Sequence, residues 1–473
     1  MIDNTQFHNP FLDKLAARFA AAGHRLYLVG GVVRDVAAGR AAGEMDGATD
    51  APVETIRRVV QALRPSSLYA VGEKFGTIGL TAAGRAYEIT AFRTGADGTA
   101  PLPPPGSDMA ADLYGDLALR DFTINAMAYD PRSDRLYDPF GGLADLAAGV
   151  LRGVGDPAAR FAEDPLRLLR AVRLALRYGL RLDPATRAAM AAGAADLARV
   201  AWERKAAEMN MILCEPQPSP GLRLLDDTGL LGQVLPEMMP MHGMQQGPRY
   251  KDVYEHTLQV VDRAAAADPP PADLTLRWAA LLHDIAKPRT FSVQDGEVHF
   301  HGHEVVGARM ARDILTRLRQ PGELIDHVEQ LVTQHLRVGL YDASWTDGAV
   351  RRFVRESIPV TERLIALARA DVTSANPRRV AAAAARVEAL LTRCAALEAE
   401  EEIAKIKSPL DGVALMALFG RPPGPWIRPL KDYLLGLVLD GQLAQDDQAT
   451  ATDLARAWME AQGAERGDGG TGD

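Results

Sequence analysis

The pattern of apolar and polar positions divides the chain into a mixed first part and a helical remainder. Residues 1–24 read as a short leading helix, and between residues 25 and 92 the runs RLYLVG, GTIGLTA and AYEITAF have the length of strands. A helical stretch begins after the segment Asp50-Ala51-Pro52. After residue 145 the pattern is almost wholly helical, as in PLRLLRAVRLALRYGL, where apolar residues recur every three or four positions. The pattern predicts an α+β head followed by a mostly α-helical chain.

Stretches rich in proline and glycine mark the predicted boundaries. Residues 94–112, TGADGTAPLPPPGSDMAAD, are expected to form a loop, and the composition changes again over residues 216–250. A histidine-bearing helical region follows, and then a tail rich in alanine, leucine and glutamate, with a loop at GRPPGPW and a disordered end, ERGDGGTGD. We therefore predict four domains, which span residues 1–145, 146–245, 246–375 and 376–473.

The composition is typical of a helix-rich globular protein. Of the 473 residues 47% are hydrophobic and only 6% are aromatic, and no apolar run approaches the ~18 residues of a membrane span. The N-terminus lacks the basic-then-apolar pattern of a signal peptide. Two cysteines, Cys214 and Cys394, are too few for a disulfide or metal framework. We therefore expect a cytoplasmic location and no membrane partner, while the sequence does not indicate an oligomeric state.

The distribution of charge changes this picture in one region. The formal net charge of −9 argues against indiscriminate nucleic-acid binding. Residues 146–215, however, carry 11 lysines and arginines against 8 aspartates and glutamates. This surplus is either an ordinary solvated helical surface or one wall of a groove for a polyanion, and the neighbouring chemistry has to decide between them.

A glycine turn and two carboxylates follow the first predicted strand, in LYLVGGVVRDVAAGRAAGEMDGATD. Glu44 and Asp46 are one residue apart, so on a strand they would project from the same face, where a divalent cation such as Mg²⁺ relieves their repulsion. The Gly30-Gly31 turn would let backbone N–H groups approach a triphosphate, and Arg34 would neutralise its charge. The stretch indicates nucleotidyl transfer, although a tight turn followed by a solvated acidic loop would look similar.

Further motifs extend this interpretation. VGGVVRD, ATDA, FGT, YEITAFR, RDFTINAMAYD and EDPLRLLRAVRLALRYG occur in this order, and over roughly residues 25–235 the chain resembles the bacterial class II tRNA nucleotidyltransferase/poly(A) polymerase family. The resemblance implies a polymerase-β-like head, with a mixed sheet and helices, followed by a helical neck and body. It also implies addition of C, C and A to the 3′ ends of tRNA, from CTP and ATP, with Mg²⁺ and with release of pyrophosphate.

The resemblance carries roles to eight positions. These are phosphate contacts at Gly31 and Arg34, metal carboxylates at Glu44 and Asp46, a nucleotide-binding arginine at Arg120, and base selection by Asp164, Arg167 and Arg170. A carboxylate and a guanidinium together offer acceptors and donors that mimic a pairing base edge. There is also a simpler interpretation of Arg167 and Arg170. They are three residues apart, so on a helix they would lie on the same solvated face. Glu88 is either a third acidic group near the metals or a cross-strand partner.

Three departures from the family pattern leave alternatives open. Glu44-Met45-Asp46 stands where Asp-x-Asp is usual, Leu119 replaces the first of two arginines before Asp121, and the 94–112 loop lacks the expected tyrosine and arginine. A restricted A-adding or CC-adding enzyme is therefore an alternative. A poly(A) polymerase is another, ranked lower because VGEKFGTIGL lacks the arginine pair that we associate with those enzymes.

A second candidate site lies in the histidine-bearing region. Its members are His256 in YEHTL, His283 and Asp284 in LLHDIAKP, His303 in FHGHEVVG, His335 in TQHLR and Asp371 in ARADV. Adjacent histidine and aspartate on a predicted apolar helix need a metal or a partner. The ordered set resembles the HD-domain phosphohydrolases, which implies a divalent metal (Mg, Mn, Ni or similar) and phosphoester hydrolysis. Metal retention without turnover is one alternative. Another is an HD phosphohydrolase whose N-terminal module only binds RNA.

Overall fold

The computed structural model describes residues 4–70, 76–93, 101–104, 107, 109–245, 252–268, 270–374, 376–397 and 406–465. The chain divides into two compact units, Met1–Met239 and Pro240–Asp473. Of the predicted loop at 94–112, the described residues up to 110 have no regular structure, residues 111 and 112 begin a helix, and the remainder lies outside the described residues. Residues 466–473, most of the segment predicted to be disordered, also lie outside them.

A mixed sheet of seven strands forms the head of the first unit. The strands are β1 Leu26–Val29, β2 Met45–Thr49, β3 Ser67–Ala70, β4 Thr77–Ala82, β5 Arg85–Ala91, β6 Ala128–Asp130 and β7 Arg135–Tyr137. They lie in the order β3-β4-β5-β2-β1-β6-β7, and only the β2–β5 pair is parallel. The three apolar runs form β1, β4 and β5, as predicted. Strands β3, β6 and β7 were not predicted, because none of them contains a long apolar run.

Five α-helices accompany this sheet in the part of the chain that the structure describes. They are α1 Pro10–Ala21, α2 Gly31–Ala37, α3 Val53–Gln61, α4 Ala111–Ala118 and α5 Gly142–Ala147. The leading helix is confirmed as α1, which begins where the Asn9 side chain accepts a hydrogen bond from the Leu12 N–H. Leu12 and Leu15 on α1 share one apolar core with Leu28 of β1 and Leu80 of β4. This core holds the middle of the sheet, and with it the β1–α2 turn, in place.

The rest of the first unit is helical. It contains α6 Pro157–Glu163, α7 Leu166–Tyr178, α8 Pro184–Ala192, α9 Trp202–Leu213, α10 Ser219–Asp227 and α11 Leu231–Val234, with one short parallel pair, β8 Val150–Leu151 and β9 Arg181–Leu182. The amphipathic pattern of PLRLLRAVRLALRYGL is confirmed in α7, which buries Leu168, Leu169 and Val172. Gly179 ends α7 in the left-handed conformation, with φ +64°.

Over its described residues, the second unit is helical apart from one hairpin. Its helices are α12 Val253–Ala267, α13 Leu274–Leu282, α14 Lys287–Thr290, α15 His303–Arg317, α16 Gly322–Gly339, α17 Asp347–Ser357, α18 Thr361–Asp371, α19 Pro377–Ala396, α20 Gly412–Phe419, α21 Ile427–Leu439 and α22 Gln448–Glu465. The hairpin joins β10 Ser292–Gln294 to β11 Glu297–His299 through Asp295-Gly296, both with positive φ. We did not predict it, although Asp-Gly between two short runs is a strong hairpin signal. None of the described helices is long and apolar enough to cross a membrane.

Candidate functional site

The turn between β1 and α2 brings bare backbone up to the first group of predicted residues. Gly30 has φ +67°, and a Cβ atom there would lie 3.0 Å from Nη1 of Arg120. A Cβ atom at Gly31 would lie 3.5 Å from both Nη2 of Arg34 and Oδ2 of Asp46. The two glycines therefore let two guanidinium groups and one carboxylate approach the same short stretch of backbone.

Three carboxyl groups face one another beside this turn. Asp46 on β2 is the register partner of Glu88 on β5, so the parallel pairing of these strands sets the two side by side. Burial, followed by the negative charge of Glu88, raises the pKa of Asp46 to about 6. Burial and the charge of Glu44 also raise the pKa of Glu88. Glu88 is thus the cross-strand neighbour of Asp46 and also a third acidic group, and the cluster favours a cation.

Arg34 is held in position from three sides. Its Nε and Nη2 atoms donate to Oδ1 of Asp35 at 3.1 and 3.0 Å, and its Nη1 donates to Oδ1 of Asn125 at 2.5 Å. The guanidinium also lies 4.7 Å from the centre of the Tyr178 ring, and the Tyr178 hydroxyl donates to the Asp35 carboxylate. Tyr178 is the last residue of α7, so this helix, which lies outside the sheet, orients an arginine of the head.

Arg120 is anchored by a buried carboxylate. Its Nε and Nη2 donate to Oδ2 of Asp116 at 3.1 and 2.7 Å, and only 8% of Arg120 is exposed. Burial works to raise the pKa of Asp116, but the charges of Arg120 and Arg93 outweigh it, so the pKa is lowered. Leu119 replaces an arginine of the family pattern, and its carbonyl oxygen accepts a hydrogen bond from Nη2 of Arg167 at 3.3 Å. A backbone group makes this contact, so it does not depend on the missing side chain.

Arg170 connects α7 to the loop that carries Arg120. Its Nε and Nη2 donate to Oδ2 of Asp121 at 3.0 and 2.9 Å, while Oδ1 of Asp121 accepts from the Asn125 side chain at 2.8 Å. Burial alone would raise the pKa of Asp121, but Arg170 and these hydrogen bonds lower it to about 2. Arg170 therefore braces the site, and its predicted role in base selection stays a prediction.

Replacement of Arg170 by methionine should lower the free energy of unfolding of the first unit by about 3 kcal/mol, because it leaves a buried carboxylate without its partner. The folded-state pKa of Asp121, about 2, lies below its usual 3.8. The pairing therefore stabilises the fold fully above pH 4 and is lost as the pH falls towards 2. Denaturant titrations at pH 7 and at pH 3 measure the difference. Arg187→Met removes a pair that is exposed on both sides, with Asp227, and serves as the control. A difference that does not shrink at low pH would contradict this account.

Asp164 and Arg167 lie together where α6 meets α7. Oδ1 of Asp164 accepts from the Leu166 N–H at 3.2 Å. Nη1 of Arg167 donates to Glu163 and to the Arg160 carbonyl, both at 2.9 Å. These contacts, with the Leu119 carbonyl, use three of the five N–H groups of Arg167. Within the described residues, two N–H groups remain for a ligand.

One cleft of about 720 Å³ joins these groups. It is lined by all eight residues that the sequence predicted for the first site. The lining contains eight arginines, which are Arg34, Arg93, Arg120, Arg167, Arg170, Arg173, Arg177 and Arg204. Five of these belong to the basic region 146–215, which supports a groove for a polyanion over an evenly solvated surface. Four residues near this cleft were not predicted, which are Asp35, Asn125, Tyr178 and Arg204, although the first three lie within the quoted motifs.

The second site brings six predicted residues together inside the second unit. Asp284 lies at its centre: Oδ2 is 3.2 Å from Nε2 of His283 and 3.4 Å from Nε2 of His256, and Oδ1 is 3.4 Å from Nε2 of His303. Possible ligand atoms form two groups, which are His256, His283 and Asp371, and Asp284, His303 and His335. His283 is the first residue after α13, and Asp284 follows it in a turn, so the predicted position of this pair within a helix was wrong.

The backbone fixes how the imidazole rings face this centre. Nδ1 lies 2.9 Å from the Ala280 carbonyl in His283, 2.8 Å from the Phe300 carbonyl in His303 and 2.7 Å from the Val332 carbonyl in His335. A carbonyl oxygen only accepts, so each Nδ1 carries the proton and each Nε2 keeps its lone pair for a metal. Four imidazoles and two carboxylates, most of them buried, fit a pair of divalent ions.

Comparisons with known proteins agree with this arrangement. Family models described as "Poly A polymerase head domain", "Probable RNA and SrmB- binding site of polymerase A" and "HD domain" match residues 26–152, 179–241 and 253–376. An A-adding tRNA nucleotidyltransferase of Deinococcus radiodurans is 34% identical over 92% of this chain and 95% of its own length. A CCA-adding enzyme of Geobacillus stearothermophilus is 29% identical over 90% of this chain and 91% of its own. The crystal structure of the Bacillus stearothermophilus CCA-adding enzyme in complex with CTP is 27% identical, with a TM-score of 0.63, and covers 97% of this chain and 99% of its own.

Proposed function

Because this chain belongs to the tRNA nucleotidyltransferase/poly(A) polymerase family, and is therefore a nucleotidyltransferase with an HD domain, we propose that it adds C, C and A to the 3′ ends of tRNA. CTP and ATP would be the substrates, and pyrophosphate the second product. One observation carries this proposal. The carboxyl groups of Glu44 and Asp46 and two anchored arginines meet a bare glycine turn in one arginine-lined cleft, and Glu88 is the cross-strand neighbour of Asp46.

Divalent metals are general in both families, and the carboxyl cluster fits Mg²⁺. Burial and the neighbouring carboxylates raise the pKa values of Asp46 and Glu88, so a bound cation would favour their ionised forms. Glu44 and Asp46 would hold the ion, which when bound activates the attacking 3′-hydroxyl and stabilises charge on the α-phosphate. Gly31, Arg34 and Arg120 would bind the triphosphate. Anchoring by Asp35, Asn125 and Asp116 keeps both guanidinium groups pointed at the turn, so little ordering remains to be done when a nucleotide binds.

Asp164 and Arg167 fit the shared edge of cytosine and adenine. Both bases present an exocyclic amine, which donates, next to a ring nitrogen, which accepts. A carboxylate that accepts and a guanidinium that donates match this order. Uracil and guanine present the reverse order, an acceptor followed by a donor, so each would meet two unfavourable contacts. Residues of the protein would thus replace a template strand.

The HD centre would hold divalent metal through His256, His283, Asp284, His303, His335 and Asp371, and we propose that it hydrolyses phosphoesters. The two carboxylate oxygens of Asp284 lie near different histidines, Oδ2 near His283 and Oδ1 near His303, so Asp284 would help to hold metal at this centre. A divalent metal held by these residues would supply an activated water for attack on a phosphate. The identity of the metal and the cytoplasmic location remain predictions of the sequence.

The extent of addition is tested with three tRNA transcripts, which end before CCA, after C and after CC. Each is incubated with Mg²⁺ and CTP, ATP or both, and the products are resolved at single-nucleotide length. We expect growth to stop at CCA on all three. Addition of A alone, as the name of the Deinococcus radiodurans relative suggests, or a long A tail would replace the CCA proposal by those alternatives. No addition by folded protein would overturn nucleotidyl transfer itself.

Replacement of Tyr178 by phenylalanine should raise the KM for CTP and for ATP by about tenfold, since it removes one hydrogen bond to a charged group, the Asp35 carboxylate that orients Arg34. Base choice should not change, because Asp164 and Arg167 are untouched. Steady-state kinetics with both nucleotides measure the effect, and Tyr69→Phe on the partly exposed β3 is the matched control. A change in KM for only one nucleotide would contradict an effect through the triphosphate.

A further inference from the structure

The carboxylate of Asp164 is held by a residue to which no role has yet been assigned. Nη2 of Arg204 donates to Oδ2 of Asp164 at 2.9 Å, and Nη1 of Arg204 donates to Oδ1 at 3.3 Å. Because Oδ1 also accepts from the Leu166 N–H at 3.2 Å, both oxygens are engaged and the plane of the carboxylate is fixed. Each oxygen keeps a further lone pair for a base.

Arg204 is presented by a rigid element. It lies in the first turn of α9, and its backbone N–H donates to the Ala201 carbonyl at 3.1 Å. The next turn of α9 carries Glu208, which accepts from Nε of Arg173 on α7 at 2.6 Å and is 3% exposed. This buried ion pair fixes α9 against α7, the helix that follows Asp164. Arg204 therefore approaches Asp164 from a helix whose position is set independently of the cleft.

A fixed carboxylate matters most for rejecting uracil. Cytosine turns an amine towards Asp164, whereas uracil turns a carbonyl oxygen towards it, and two acceptors facing each other repel. A carboxylate that can rotate or swing aside avoids this repulsion at little cost. A carboxylate held at both oxygens cannot, so uracil keeps an unpaired and desolvated contact.

We propose that Arg204 is a specificity-determining positioning residue, which acts through Asp164 and without touching the base. The proposal rests on the base-reading role of Asp164 in the proposed function. In this proposal, the Asp164–Arg204 pair rejects UTP, while Asp164 and Arg167 together bind the edge of cytosine or adenine.

The test compares Arg204→Ala, Arg204→Lys and Asp164→Ala with the unchanged full-length chain. For each protein, kcat/KM is measured for addition of one nucleotide, from CTP and separately from UTP, to tRNA that ends before CCA. In Arg204→Ala the preference for CTP over UTP should fall about tenfold, as expected for loss of one charge-assisted contact. Arg204→Lys should recover part of this preference, because an ammonium keeps the charge but not the two parallel hydrogen bonds. Arg199→Ala, which removes an exposed arginine paired with Asp196, should leave the ratio unchanged.

The outcomes separate the two proposals. If Asp164→Ala keeps its preference for CTP, base reading by Asp164 is wrong, and the proposed function has to be revised at that point. If Asp164→Ala loses the preference while Arg204→Ala keeps it, only the role of Arg204 is overturned. A fall in kcat/KM that is equal for CTP and UTP in Arg204→Ala would also overturn it, since this would indicate a contact with phosphate or RNA. Near-UV circular dichroism of each variant confirms that the fold is intact.

Discussion

Replacement of Asp46 by asparagine should reduce nucleotide addition by about 10³-fold, or about 4 kcal/mol in activation free energy, because it removes a negative oxygen that would hold the metal. The same replacement should stabilise metal-free protein. Asp46 is half-buried beside Glu88, so its charge is unfavourable in the fold and its pKa is raised to about 6. One substitution is thus expected to remove function and increase stability, the usual relation at a site built from like charges.

The pH dependence of this gain has a definite sign. The folded-state pKa of Asp46, about 6, lies above its usual 3.8. The ionised carboxylate therefore lowers the free energy of unfolding above pH 6, and this loss of stability disappears as the pH falls towards 4. Melting curves in EDTA should give a higher melting temperature for Asp46→Asn than for the unchanged chain at pH 7.5. The two melting temperatures should converge at low pH. Glu54→Gln, which changes an exposed carboxyl group on α3, should alter neither activity nor stability. An active Asp46→Asn protein would rule out Asp46 as a metal ligand.

Replacement of Asp284 by asparagine should lower divalent-metal affinity of the HD centre more than about 100-fold, since loss of outer contacts alone costs up to that much. Asp284 belongs to one ligand group and its Oδ2 also lies within 3.4 Å of His256 and His283 of the other, so metal held by either group should be lost. His335→Gln affects one group only and should leave one ion. Metal content is measured by mass spectrometry after dialysis against Mn²⁺, with the exposed His301→Gln as the control.

The same variants separate the two activities. A metal at 100 times its dissociation constant stabilises the unit that binds it by about 2.7 kcal/mol, so Mn²⁺ should raise the melting transition of the unchanged chain but not that of Asp284→Asn. Addition of nucleotides to tRNA should continue in Asp284→Asn, because Glu44 and Asp46 belong to the other unit. Full metal content in Asp284→Asn would show that the ions lie elsewhere.

The sequence predicted which residues come together better than it predicted the contacts that support them. Glu44, Asp46 and the Gly30-Gly31 turn stood out as candidates because few residue types suit metal and phosphate binding, and all four residues line one cleft. The HD residues could be recognised for the same reason, and the structure places all six together. The local structure around them was less visible. α13 ends at Leu282, just before His283, and helix ends depend on tertiary packing.

Contacts between distant segments had no signal in the sequence. Tyr178 reaches Asp35 across 143 positions, and Arg204 reaches Asp164 across 40 positions. A tyrosine or an arginine near the end of an amphipathic helix is common, and only the packing of α7 and α9 shows what each one touches. Glu88 is an intermediate case. The alternation of polar and apolar residues along β5 was visible in the sequence. The parallel pairing with β2, which sets Glu88 beside Asp46, was not.

The strand order of the head has a consequence for how the protein is made. β1 lies between β2 and β6, and Leu28 pairs on one side with Gly47 and on the other with Tyr129, about 100 residues later in the chain. During synthesis, at about 5–20 residues per second, one edge of β1 therefore stays unpaired for several seconds after the glycine turn has left the ribosome. β1, whose four residues are all buried in the folded protein, is thus the strand that waits longest for its second neighbour. A nascent chain that stalls before β6 therefore presents the unpaired backbone N–H and C=O groups of an apolar strand to other chains.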